Sequence, residues 1–149
     1  MKKMNKKGFT LIELLAIIVI LAIIAVITVP IILNIIENAR AGAARNSVIG
    51  YGKSVELAYT QYQYDVNLAD YTEPASADAS GKTITVFLAT PTSSAATLRL
   101  AVEYDGDSVI CDGSKSYFDN GKVVLDDCQV NGTGQKYKYQ DGKADPVQP

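Results

Sequence analysis

Histidine and tryptophan do not occur in this chain of 149 residues, and cysteine occurs only twice. Without an imidazole the Ser-His-Asp and Cys-His nucleophile arrangements fall away, and two thiols rule out nearly every zinc-ligand spacing. No metal site, cofactor or catalytic residue is therefore expected, and the chain is not expected to be an enzyme. Acid is also missing from the front: nothing negative precedes Glu13, while Lys2, Lys3, Lys6 and Lys7 place four positive charges in the first eight residues. Taking those four from the 14 Lys and Arg leaves 10 against 16 acids, so residues 9–149 carry a formal charge of −6. Nucleic-acid binding needs clustered cations, so no nucleic-acid partner is expected for this body. The length suits one domain with one appended element.

What is present is strongly segregated. Leu14 to Ile27 is an unbroken run of fourteen Ala, Val, Ile and Leu residues, and up to Leu33 only Thr28 and Pro30 interrupt it. Twenty apolar residues in a helix span about 30 Å, the hydrocarbon thickness of a bilayer. A cleaved secretory signal has a shorter apolar region, about 7–15 residues, and ends at a small-residue site before a polar start. With lysines only on the leading side, the positive-inside rule keeps the N-terminus cytoplasmic and sends residues beyond about 36 outward. Pro30 lacks an amide hydrogen and crowds the Val26 carbonyl, so a kink or loosened turn is expected there.

Glu13 is the anomaly of this segment, because an ionised carboxylate deep in a membrane helix costs several kcal/mol. One reading places it at headgroup level in the first helical turn, favoured by the helix dipole. Another supplies a cationic partner: cleavage after Gly8 would turn Phe9 into an N-terminal ammonium. The residues around this point read Lys6-Lys7-Gly8-Phe9-Thr10-Leu11-Ile12-Glu13-Leu14-Leu15. They resemble the prepilin leader and processing site of type IV pilins and pseudopilins. The resemblance covers about the first 45 residues and includes a proline inside the apolar helix.

The resemblance implies cleavage after Gly8 by a membrane prepilin peptidase, N-methylation of Phe9, and a requirement for Glu13 in filament assembly. It implies further partners: other pilin subunits, an assembly platform and its ATPase, and the membrane. Physical chemistry points the same way. Lipid-facing helices gain little hydrophobic transfer energy on associating, so packing and polar contacts decide their arrangement. A Glu13 reaching the Phe9 amine of an earlier subunit would fix the axial offset near one helical turn, and buried ion pairs set register better than they add stability.

Beyond Leu33 the helix becomes amphipathic, with Ala44, Val48, Tyr51, Val55, Ala58 or Tyr59, and Tyr62 recurring every three or four residues. Gly42, Gly50 and Gly52 lie within it, each a point of close approach or of softness. The expected fold is α+β and pilin-like, a long N-terminal helix, half membrane and half amphipathic, packed on a four- to five-stranded antiparallel sheet. The expected divisions are a cleaved leader, 1–8, a membrane and filament-core helix, 9–36, and an extracellular head, 37–149. Within the head the helix continues over 37–64, a loop covers 65–82, and the sheet fills 83–149. Strand signals fall at 83–88, 97–104, 108–111, 116–118, 122–125 and 135–139, with Asp105-Gly106 and Asn120-Gly121 as hairpin turns.

Cys111 and Cys128 enclose sixteen residues in the part placed outside the cell. A disulfide is expected, with two reduced buried thiols as the alternative. Pilins often carry such a C-terminal disulfide loop. Three weaker signals have plainer readings. Asp105, Asp107, Asp126 and Asp127 resemble no calcium spacing and read as turn or surface acids. Asn131-Gly132-Thr133 matches a glycosylation acceptor but is foremost a turn, and Lys136-Tyr137-Lys138-Tyr139 reads as a strand with lysines outward and tyrosines inward. The function expected is that of a filament subunit; a pseudopilin of type II secretion or of a DNA-uptake apparatus, or a monomeric membrane-anchored binding protein, are the alternatives.

Overall fold

The computed structural model of the chain describes residues 8–68, 72–74, 82–92 and 96–148, side chains of 67, 68 and 133 excepted. Residues 1–7 of the expected leader, and 69–71 and 75–81 of the expected loop, lie outside the described residues. The chain divides into two compact units, Met1–Arg40 and Ala41–Pro149.

A single helix, α1, spans Leu11–Leu68. Its first part is rich in Ile and Val, whose stiff branched side chains would suit a strand in water. In a bilayer a lone segment can satisfy its backbone only as a helix. Thr28 fits the same rule, since its hydroxyl donates to the Ile24 carbonyl one turn back at 2.9 Å. Every residue from 11 to 40 is exposed. An apolar circumference with nothing covering it is what lipid or other apolar helices must cover, and α1 contains one stretch long and apolar enough to cross a membrane. The helix runs without interruption through Pro30 and ends four residues beyond the expected Tyr64.

In the second unit the helix meets an open six-stranded sheet: β1 (Thr83–Phe87), β2 (Thr97–Ala101), β3 (Val109–Asp119), β4 (Lys122–Val130), β5 (Thr133–Gln140) and β6 (Lys143–Pro146). The order is β2-β1-β3-β4-β5-β6, antiparallel except for the parallel β1–β3 pair. The architecture is therefore the α+β, pilin-like one expected, with one or two strands more. Three two-residue turns build its C-terminal half: Asn120-Gly121, Asn131-Gly132 and Asp141-Gly142 all have positive φ at both positions, from 49° to 78°. That is the type I′ geometry whose twist matches the strands it joins, and Asn-Gly and Asp-Gly are the pairs that adopt it without strain.

Asp105-Gly106, expected to close a hairpin between β2 and β3, does not. Strand β2 pairs with β1 from Thr83↔Ala101 to Phe87↔Thr97, and β3 lies on the other side of β1, so residues 102–108 are a crossover. Gly106 is needed for space: a Cβ there would run into the Tyr104 hydroxyl. The segments expected separately at 108–111 and 116–118 are one strand, β3, whose register against β4 shifts between Ile110 and Asp112 and again before Tyr117. Ser116, fully buried, holds this irregular stretch, donating to the Asp112 carbonyl at 2.8 Å and accepting from the Asp126 amide at 3.2 Å.

The core joins one face of α1 to one face of the sheet. Val48, Tyr51 and Val55 recur at helical spacing and are buried with Val86, Leu100, Phe118, Leu125 and Tyr139. Each such side chain contributes about 1.5–3 kcal/mol by leaving water. Tyrosines tie the layers together from both sides. From the helix, Tyr59 stacks on Phe118 with ring centroids 3.8 Å apart. From the sheet side, Tyr104 and Tyr137 donate to the Ser47 and Ala41 carbonyls, each at 3.1 Å. The helix glycines make room for these rings rather than for backbone: Gly52 lies under Tyr139 and Gly50 faces Tyr104, while Gly42 faces open space.

Candidate functional site

Residues 8–10 precede the helix without regular structure, and Gly8 and Phe9 are exposed. The Gly8–Phe9 peptide thus lies outside α1. Thr10 is the residue that starts the helix. Its carbonyl accepts from the Glu13 and Leu14 amides at 3.1 and 3.2 Å, and its hydroxyl oxygen lies 3.4 Å from the Glu13 amide. Glu13 reaches back, its Oε2 accepting from the Thr10 amide at 3.0 Å and from the Thr10 hydroxyl at 2.7 Å.

This is a capping box, in which N-cap and N3 side chains each satisfy the other's backbone amide. Thr10 is not among the expected site residues, although Thr-x-x-Glu immediately before an apolar run is the sequence signal of such a box. The box changes the account of Glu13. Its charge sits at the positive end of α1 with two hydrogen bonds on one oxygen, so it is partly compensated before any partner arrives. Oε1 accepts neither of these bonds.

In the second unit Cys111 and Cys128 are joined by a disulfide between β3 and β4. The pairs Val109↔Val130 and Ile110↔Gln129 set a register that places them opposite one another. Closing a loop of this size contributes about 3 kcal/mol in the chain-entropy model. The remaining motifs have structural employment. Asp127 pairs with Lys115 and Lys136, and Asp126 with Lys138, making a charge ladder across β3, β4 and β5. Lys115 holds the Asp127 carboxyl below the usual range, and Asp127 raises the Lys115 ammonium in return. Tyr137 and Tyr139 are buried and Lys136 is exposed, as an alternating strand requires. Among the described residues no cluster of Cys, Asp and Glu is placed to hold a metal ion.

Residues 3–29 match the family model described as the prokaryotic N-terminal methylation motif. This is the prepilin-type signal of type IV pilins and pseudopilins, and it spans Gly8, Phe9 and Glu13. No curated protein and no solved structure matches the chain.

Proposed function

We propose that the chain is a prepilin: a single-pass subunit held in the cytoplasmic membrane with its N-terminus inside, trimmed after Gly8, methylated on Phe9, and assembled through α1 into a filament. The observation that carries this reading is the coincidence, within residues 8–13, of an exposed cleavable bond and a capped glutamate. These open a wholly uncovered apolar helix inside an N-terminal methylation motif. The eight-residue leader holds four lysines that would keep this end of the helix out of a dry core, so its removal permits assembly.

Once Phe9 is an ammonium, the Glu13 of an arriving subunit approaches it through Oε1 while Thr10 keeps Oε2 occupied. The pair sets stagger rather than net stability. Pro30 leaves the Val26 carbonyl without its helical donor, and that turn is where α1 loosens to adapt to its neighbours. Partners in this reading are further copies, related pilins, a prepilin peptidase, and an assembly platform with its ATPase.

A Glu13→Gln chain co-expressed with the parent tests the proposal. Gln at N3 keeps the cap and the apolar helix, so membrane insertion should match the parent. Incorporation into shared filaments should fall at least about tenfold, the loss of one charge-assisted contact. Equal incorporation would remove the role given to Glu13. Long surface filaments in the parent indicate a pilus, and short envelope-confined ones indicate a pseudopilin.

A further inference from the structure

An open sheet has two edges, and an unpaired edge is a template for strand addition by another chain. Among the described residues the two edge strands of the head are β2 and β6. The hydrogen bonds Val102 N–H to Lys82 O and Leu88 N–H to Ala96 O fix which groups of β2 face β1. By alternation the backbone groups of Thr97, Arg99 and Ala101 face away from the sheet. The middle amide of these three is taken by a side chain: Glu73 Oε1 accepts from Arg99 N–H at 3.2 Å and from Arg99 Nε at 3.1 Å.

The other edge is treated with the opposite polarity. Val147 N–H bonds to Lys136 O, so Ala144 and Pro146 face outward on β6. Arg45, reaching from α1, donates from Nε to the Ala144 carbonyl at 2.5 Å and from Nη2 to Asp145 at 3.2 Å. Pro146 has no amide to offer. One edge therefore has an outward amide covered by a carboxylate, and the other an outward carbonyl covered by a guanidinium.

We infer that Glu73 and Arg45 are edge plugs that keep the head from pairing strand to strand with other copies. An added strand would have to displace a charged group already bonded to the backbone position it needs, and would leave that charge against a new ladder. The inference uses the head unit alone and does not depend on the assembly role of Glu13.

The test compares Glu73→Ala and Arg45→Ala with the parent, as full-length chain in detergent micelles. The readouts are thioflavin-positive sedimentable material and exchange of the Arg99 amide. Glu103→Ala is the control, because it removes a charge from an exposed position next to β2 without touching an edge amide. Glu73→Ala should associate at about a tenfold lower concentration than the parent and exchange Arg99 N–H about tenfold faster, the control remaining parental. Ala101→Pro added to Glu73→Ala deletes a second outward amide of β2 and should restore dispersal if exposed edges cause the association. Parental behaviour of Glu73→Ala, equal association of Glu103→Ala, or failure of Ala101→Pro to reverse it would each overturn the inference.

Discussion

Gly42, Gly50 and Gly52 lie in one helix, and replacing each with alanine should change stability by different amounts and with different signs. In a helix interior the substitution by itself gains about 0.8–1.0 kcal/mol from backbone entropy and solvation. At Gly42 a new Cβ meets nothing within 4 Å, so the full gain of about 1 kcal/mol should appear. At Gly50 the nearest atom is Tyr104 Cε2 at 3.4 Å, an ordinary contact, and a smaller gain of about 0.5 kcal/mol is expected. At Gly52 the Cβ would stand 2.5 Å from two atoms of the Tyr139 ring and 2.6 Å from a third. Tyr139 is fully buried, so the ring cannot swing into solvent and must displace β5 or its core neighbours. Overpacking of this kind costs about 1–3 kcal/mol, which outweighs the propensity gain. Gly52→Ala should therefore destabilise by about 1–2 kcal/mol net, and Tyr139→Leu in the same chain should relieve most of the clash.

The natural assay is denaturant unfolding in micelles followed by near-ultraviolet circular dichroism. All nine tyrosines lie at or beyond Tyr51 and there is no tryptophan, so the signal reports the head alone. A common sign and size for the three alanine variants would refute the argument that these glycines are distinguished by the rings above them.

Two further predictions concern the same unit. Tyr137→Phe should lose about 0.5–1.5 kcal/mol with its hydrogen bond to the Ala41 carbonyl. Tyr139→Phe should lose less than that, because the buried Tyr139 hydroxyl makes no close hydrogen bond among the described residues and has only weaker contacts to Glu56 and the Gly142 backbone. A larger loss for Tyr139→Phe than for Tyr137→Phe would contradict both. The charge ladder gives a pH dependence. Lys115 depresses the Asp127 pKa in the fold, so its contribution is present above the ordinary aspartate value of 3.8 and disappears as pH falls through the lower folded value. Lys115 behaves in the mirror sense: its pKa is raised, and its contribution is present below the ordinary 10.5 and lost as pH rises through the folded value. Melting temperatures of the parent should therefore fall at both extremes, and Asp127→Asn should flatten both limbs; parallel profiles for the two chains would rule the pair out as a stabilising contact.

Sequence pattern and structure agree where local chemistry is decisive. Fourteen uninterrupted aliphatic residues leave a helix as the only membrane solution, and Asn-Gly and Asp-Gly, with both residues at positive φ, specify tight hairpins between neighbouring strands. They part where partners are distant in sequence. Nothing within residues 97–111 indicates that β1 inserts between β2 and β3 through a parallel pairing, and the same Asp-Gly signal serves there to seat a tyrosine ring. Strand β6 escaped notice because Lys-Ala-Asp-Pro lacks β-branched and aromatic residues; its pairing with β5 and the Arg45 contact hold it instead. At the candidate site Gly8, Phe9 and Glu13 were legible because their types and spacing are unusual. Thr10 was not, since a charge in an apolar run directs attention to a missing cation and away from a neutral hydroxyl three residues back.

Mass spectrometry of the N-terminal peptide, taken from polymer sheared off cells and from the membrane fraction of a strain without prepilin peptidase, decides whether removal of the leader precedes polymerisation. Polymer chains should begin at methylated Phe9, and unpolymerised membrane chains should still carry Lys2, Lys3, Lys6 and Lys7. Polymer built from chains that retain those lysines would contradict that order.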